Sequence, residues 1–127
     1  METKVISVGS AKGNGLKRRP RIRLSGDWLE KIGFESGKLA VAKYEYGSII
    51  LQAHDSDNYR NVVKGAFKAG AGLFQVRREF RNKKLVSNIV ITGFRLEPLG
   101  FAIGSVIAVR YEYGFIKIIL INLDKLE

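Results

Sequence analysis

Residues 22–51, IRLSGDWLEKIGFESGKLAVAKYEYGSIIL, return in altered form at residues 89–118, IVITGFRLEPLGFAIGSVIAVRYEYGFIKI. The two stretches align at a constant offset of 67 without a gap, and twelve of the thirty positions are identical. Ile22, Gly26, Leu29, Glu30, Gly33, Phe34, Gly37, Tyr44, Glu45, Tyr46, Gly47 and Ile49 all have their counterpart 67 residues on. Four of the twelve are glycines, the residue type for positive φ and close backbone approach. A gapless repeat that keeps its glycines implies two copies of one structural unit.

Each copy reads as strand, helical turn, hairpin. Ile22 to Leu24 and Ile89 to Ile91 are short strands closed by Ser25-Gly26 and Thr92-Gly93. Asp27 followed by Glu30 predicts a capping box opening a one-turn helix through Ile32. Gly33 fits the C′ position, which makes Leu29 and Phe34 the apolar pair of a Schellman motif, repeated by Leu96, Gly100 and Phe101. The second copy has Phe94 at the position of Asp27 and Pro98 at that of Lys31, so its helix should be the weaker one. After Gly37 and Gly104 the period changes to two, with Ala40, Ala42, Tyr44 and Tyr46 on one face and Ile107, Val109, Tyr111 and Tyr113 in the same places of the second copy. Gly47 and Gly114 suit a tight hairpin turn, with return strands through Ile49 to Leu51 and Ile116 to Leu123.

Upstream of each copy lies a further strand candidate, Val5 to Val8 and Leu73 to Val76, each followed by a basic stretch. Between the copies, Ser56-Asp57-Asn58 can start a helix with an apolar stripe of Tyr59, Val62, Val63, Ala66 and Phe67, weakened by Gly65, Gly70 and Gly72. The expected organisation is a first repeat over 4–52, a partly helical connector over 53–71 and a second repeat over 72–123, the two repeats forming one compact domain.

The whole chain has 127 residues, with 22 Lys plus Arg against 12 Asp plus Glu, a net charge of +10. Hydrophobic residues at 46% supply a core and exclude a disordered basic tail. A folded domain so basic calls for a polyanionic partner. No apolar run is long enough for a spanning helix, since Phe115 to Leu123 is short and carries Lys117. Met1 to Lys4 lacks the apolar core of a signal peptide, and there is no cysteine, so the cytoplasm is the expected location.

The segment from Pro20 to Gly37, with its proline, alternating strand, Trp28-Leu29-Glu30 element and Gly33-Phe34 pair, resembles the SymE family of type I toxins. The resemblance covers roughly the first 50 residues, and Val5 to Val8 falls where that family has its own first strand. In the second copy Arg95 replaces the Trp and no proline precedes Ile89. That family is similar to the AbrB and MazE swapped-hairpin proteins, in which two short chains interleave. The resemblance therefore implies a mainly β fold with short helices: a duplicated, AbrB/SymE-like swapped-hairpin β-barrel that forms an intrachain pseudo-dimer, plus the partly helical connector. As to activity, it implies a toxin-family protein that binds RNA or DNA. An RNA-cleaving toxin and an AbrB/MazE-like DNA-binding regulator or antitoxin are the alternatives, and assembly into a homo-oligomer stays open. An interaction module that meets an acidic protein through its basic face is the remaining class.

The expected nucleic-acid contacts are Lys12, Lys17, Arg18, Arg19, Arg21 and Arg23 in a first basic arm and Arg77, Arg78, Arg81, Lys83 and Lys84 in a second. Alternation in an extended arm would place Arg19, Arg21 and Arg23 on one side, and arginine bonds phosphate bidentately. The paired tyrosines could stack bases, but their alternation with Ala40, Ala42, Ile107 and Val109 favours core packing, and Trp28 too reads as a packing residue. His54 with Asp55 and Asp57 is the one grouping suited to general-base chemistry. In a connector it reads more readily as a turn with helix capping, and no catalytic set is assigned. Gly9, Gly13 and Gly15 with Ser10 and Lys12 lack phosphate-loop spacing. Neither a metal nor a cofactor is expected.

Overall fold

The computed structural model describes residues 2–12, 18–55, 57, 59–93 and 95–121. Ten strands and two helices follow one another: β1 (Glu2–Ser7), β2 (Gly9–Lys12), β3 (Arg18–Ser25), α1 (Asp27–Lys31), β4 (Leu39–Glu45), β5 (Ser48–His54), α2 (Tyr59–Ala69), β6 (Gly72–Gln75), β7 (Arg77–Arg81), β8 (Lys84–Thr92), β9 (Val106–Glu112) and β10 (Phe115–Leu120). They form a six-stranded sheet in the order β1-β9-β10-β5-β4-β6 and a four-stranded sheet in the order β2-β3-β8-β7. All pairings are antiparallel. The protein is mainly β.

Both orders read the same from either end once elements 67 residues apart are exchanged. The central pairs, β5 with β10 and β3 with β8, join one repeat to the other, and each outermost strand of the large sheet also lies against the other repeat. Thus β1 pairs with β9, Ile6 opposite Ile107, and β6 pairs with β4, Phe74 opposite Ala40. The chain passes from the large sheet to the small one at two buried valines. Val8 donates its N–H to Ser105 O and accepts from Gly104 N, both at 2.8 Å. Val76 does the same with Lys38 O and Gly37 N, both at 2.9 Å.

Alternation sets what each strand buries. Ile22 and Leu24 of β3 and Ile89 and Ile91 of β8 point into the core, where they meet Ala40, Ala42, Ile49, Leu51, Ile107, Val109, Ile116 and Ile118 of the large sheet. Fully burying one such branched side chain is worth about 1.5–3 kcal/mol. Leu29 and Phe34, and Leu96 and Phe101, complete this core. Phe34 N donates to Leu29 O at 2.8 Å and Gly33 N to Glu30 O at 3.1 Å. Phe101, Leu96, Gly100 and Glu97 repeat both bonds at 2.9 and 3.0 Å, so the Schellman motif occurs in both repeats. The second copy has turns at 95–100 and no helix. Pro98, unable to donate an N–H, accounts for the difference.

Several details differ from the sequence reading. Asp27 does not cap α1: the N-cap is Gly26, without a side-chain cap bond, and the Asp27 carboxylate accepts from Lys84 Nζ at 2.7 Å. Glu30 accepts from Ser87 Oγ at 3.2 Å. The described residues of the basic stretches lie in strands β2, β3, β7 and β8 and in the turn at Asn82 and Lys83. The connector holds α2, yet only Ala66 of its stripe is buried, and Phe67 is 88% exposed. Ser56 and Asn58, expected to start that helix, lie outside the described residues, as does the end of the expected return strand beyond Ile121. No described helix is long and apolar enough to cross a membrane.

The hairpin tyrosines divide in two. Tyr111 is buried, and its ring meets Trp28 at 4.8 Å between centroids, tilted by 47°. Tyr44, 67 residues earlier, takes the Arg95 guanidinium over its ring at 5.3 Å. Tyr46 and Tyr113 at the hairpin tips are 76% and 74% exposed, contrary to the core packing expected for all four. The tips lock onto the other repeat through the backbone. Gly47 N donates to Leu99 O at 2.8 Å, and Gly114 N to Ile32 O at 2.6 Å.

Candidate nucleic-acid interface

Strand β3 carries the densest charge. Its buried residues Pro20, Ile22 and Leu24 alternate with Arg19, Arg21 and Arg23, which therefore project from the opposite side of the four-stranded sheet. Residues opposed in an antiparallel pair share a face. Arg21 lies opposite Thr92 and Arg23 opposite Val90, and on the far side of β8 Asn88 lies opposite Arg77, Val86 opposite Glu79 and Lys84 opposite Arg81. The outer face thus gathers Arg19, Arg21, Arg23, Arg77, Arg81 and Lys84. The rows on β3 and β7 are two strand spacings apart, about 10 Å.

Other expected contacts lie elsewhere. Arg18 and Arg78 alternate onto the opposite register of their strands, and both are exposed. Lys83 is in the tight turn with Asn82, with φ of 63° and 52°. Lys12 belongs to β2, opposite Arg18, but its side chain is not described, and Lys17 lies outside the described residues.

One carboxylate sits within the cations. Glu79 accepts from the Ser25 hydroxyl, the Arg23 guanidinium and, at 2.8 Å, the Asn88 amide. The Ser25 bond foremost, then those of Arg23 and Asn88, hold its carboxyl below the usual carboxylate range against the opposing effect of burial. Glu79 therefore stays ionised and ties β7 to β3 across β8. At the sheet end, the hydrogen bond to Asp27 raises the Lys84 ammonium pKa above its ordinary value. Sequence reasoning passed over Glu79, although the spacing Arg77, Glu79, Arg81 already puts it on the same face of β7.

Arg21 is only partly explained by the fold. Its Nε is buried with no hydrogen-bond partner among the described residues, a burial that costs about 1–3 kcal/mol when uncompensated.

The His54 grouping does not come together. His54 ends β5, beside a shallow groove shared with Val41 and Gln52 of the sheet and Val62 and Ala66 of α2. Asp55 turns instead to Lys38, with Nζ to Oδ1 at 3.4 Å. Among the described residues no group of three or more His, Cys, Asp or Glu could hold a metal ion. No protein-family model matches the chain, and neither a curated protein nor a solved structure is significantly similar to it.

Proposed function

We propose that this protein binds nucleic acid through the outer face of its four-stranded sheet, as a SymE-like, duplicated swapped-hairpin protein. The observation that carries the binding reading is the alternation in β3, which uses Pro20, Ile22 and Leu24 for the core and leaves Arg19, Arg21 and Arg23 aligned outside. Arg77 and Arg81 of the second repeat extend the same face. Six cations against the carboxylates of Glu79 and, at Lys84, Asp27 make a surface suited to phosphate, and arginine supplies bidentate geometry there. The net charge of +10 supports the same partner class.

The strand order supports the swapped-hairpin part of the reading. Each outer strand of the large sheet pairs with the other repeat's hairpin, so one chain would supply what the resembling proteins assemble from two. A toxin-family role comes with the resemblance to the SymE family. Cleavage of RNA and sequence-specific regulation of DNA are outcomes that the test below separates.

Labelled RNA and duplex DNA are titrated with protein at two salt concentrations, with and without magnesium, and scored for shift and for cleavage. The expected result is a salt-sensitive shift. Replacing Arg19, Arg21 and Arg23 together by Ala should reduce the slope of log affinity against log salt by about 2 to 3, near 0.9 per lost phosphate contact. An unchanged slope removes the β3 face from the interface. Preference for one DNA sequence by about a thousandfold marks a regulator, and protein-dependent cleavage marks a nuclease.

A further inference from the structure

We propose that a cleft at one end of the molecule, between β1, β3, α1 and β7, is a binding site for a nucleoside phosphate. It has a volume of about 610 Å³ and holds three cations, Lys4, Arg23 and Arg81, with the Ser25 hydroxyl and the Trp28 indole beside them. Ile6 and Leu24 give it an apolar floor.

The charge in this cleft is not balanced from within. Arg23 shares Glu79 with Ser25 and Asn88. Among the described residues, neither Lys4 nor Arg81 has an ion-pair partner. Lys4 stands on the same side of β1 as Ile6, opposite buried Val109, so it faces the gap between the sheets rather than open solvent. Its ammonium rests 5.0 Å above the Trp28 ring. That ring is fixed, because its Nε1 donates to Ser25 O at 3.0 Å and Tyr111 backs it. The result is a preformed wall beside two cations that have no carboxylate partner among the described residues.

The fold itself does not demand this arrangement. At the positions 67 residues on, Arg23 becomes Val90, Ser25 becomes Thr92 and Trp28 becomes Arg95, although strand, turn and hairpin are kept. The first repeat's Arg23, Ser25 and Trp28 are thus added to a framework that holds without them.

The chemistry selects the occupant. Lys4 and Arg81 suit a phosphate group, while the Ser25 hydroxyl, whose one proton goes to Glu79, can only accept from a ligand. An inorganic anion alone would leave the half-buried Ile6 and indole side chains wet. The volume falls in the range of about 300–1,000 Å³ usual for small-molecule sites, large enough for a nucleoside as well. A free nucleotide and the phosphorylated end of a single strand present the same chemistry. The cleft shares Arg23 and Arg81 with the outer sheet face, and Lys4 and Trp28 belong to the cleft alone.

Trp28 is the only tryptophan, so its emission reports on this cleft in the intact chain. The full-length protein is titrated separately with AMP, adenosine, inorganic phosphate and a short 5′-phosphorylated single-stranded oligonucleotide. A saturable change in Trp28 emission with AMP or the oligonucleotide is expected, absent with adenosine and far weaker with inorganic phosphate. Arg81→Gln, on an exposed strand remote from the core, should weaken it by about tenfold or more. A response to AMP identifies a free nucleotide as the source, whereas one confined to the oligonucleotide identifies a strand end. No saturable change with either, a response equal for inorganic phosphate, or one that Arg81→Gln leaves intact overturns the proposal. The gel titration is read on an Arg19→Ala/Arg21→Ala variant, which leaves the shared Arg23 and Arg81 in place, and the cleft on the AMP-induced change in Trp28 emission, so failure of the sheet face and failure of the cleft are told apart.

Discussion

Gly33 and Tyr113 touch across the two repeats: a Cβ at Gly33 would stand 3.1 Å from Tyr113 Cζ. Gly33 has φ of 91°, and so does its neighbour Gly37, at 94°, where a Cβ would meet nothing within 4 Å. The Tyr113 ring is exposed and can swing aside, so backbone strain should dominate at both sites. Gly33→Ala and Gly37→Ala are each expected to cost about 1–2 kcal/mol. The double variant Gly33→Ala/Tyr113→Ala should recover no more than about 0.5 kcal/mol, read from denaturant midpoints at unchanged m.

The two repeats should also be equally sensitive at their matched core positions. Leu29 and Leu96 are both fully buried, each accepting the Schellman bond from its own phenylalanine. Leu29→Ala and Leu96→Ala should each destabilise by about 2–5 kcal/mol. A loss at one site only would mean that the turn at 95–100 carries less of the core than its burial indicates.

Glu79 makes stability depend on acidity. Its folded pKa is lowered by the Ser25 hydroxyl, then by Arg23 and Asn88, so the stabilisation is complete above the ordinary carboxylate value of 4.5. It is lost as pH falls from there through the folded pKa, because the unfolded chain takes up the proton first. Unfolding midpoints between about pH 6 and pH 3 should fall more for the native protein than for Glu79→Gln. Parallel curves would show that the carboxylate contributes nothing through its charge.

The same substitution should act oppositely on binding. Glu79→Gln frees Arg23 from its carboxylate and removes the negative charge between the arginines of the basic face. Affinity for nucleic acid should rise, and the salt slope should steepen by about 0.9, one phosphate contact. Weaker binding by a folded Glu79→Gln would imply that the carboxylate positions Arg23 for its target.

The stripe on α2 offers a contrast between two apolar residues one position apart. Ala66 is buried and Phe67 is almost fully exposed. Ala66→Asp should destabilise by about 2 kcal/mol or more, whereas Phe67→Ser should stay within about 0.5 kcal/mol. Thermal unfolding of the two variants checks this.

The strand, turn and hairpin of each repeat were legible because backbone-specific residues mark them. Gly33 and Gly100 closed the Schellman motifs, and alternation in β3 separated Ile22 and Leu24 from Arg19, Arg21 and Arg23. Partnership was harder to read. Asp27 has the chemistry of a cap, but Lys84, 57 residues away, claims its carboxylate. Period two assigned Tyr46 and Tyr113 to the core face, yet they sit where their strands run past the core into the turns. Glu79 matters through Ser25 and Arg23 of the other repeat and Lys4 through the cleft it shares with Arg81 and Val109, which local pattern does not reveal.

Because β1 pairs only with β9 and the short β6 only with β4, cutting the chain in its connector would not release two independent proteins. Each fragment would keep a hairpin whose flanking strands belong to the other fragment. A protease that nicks near Asp55 should therefore leave a tightly held two-piece complex that elutes at the intact size, and the separated pieces should regain structure only when mixed.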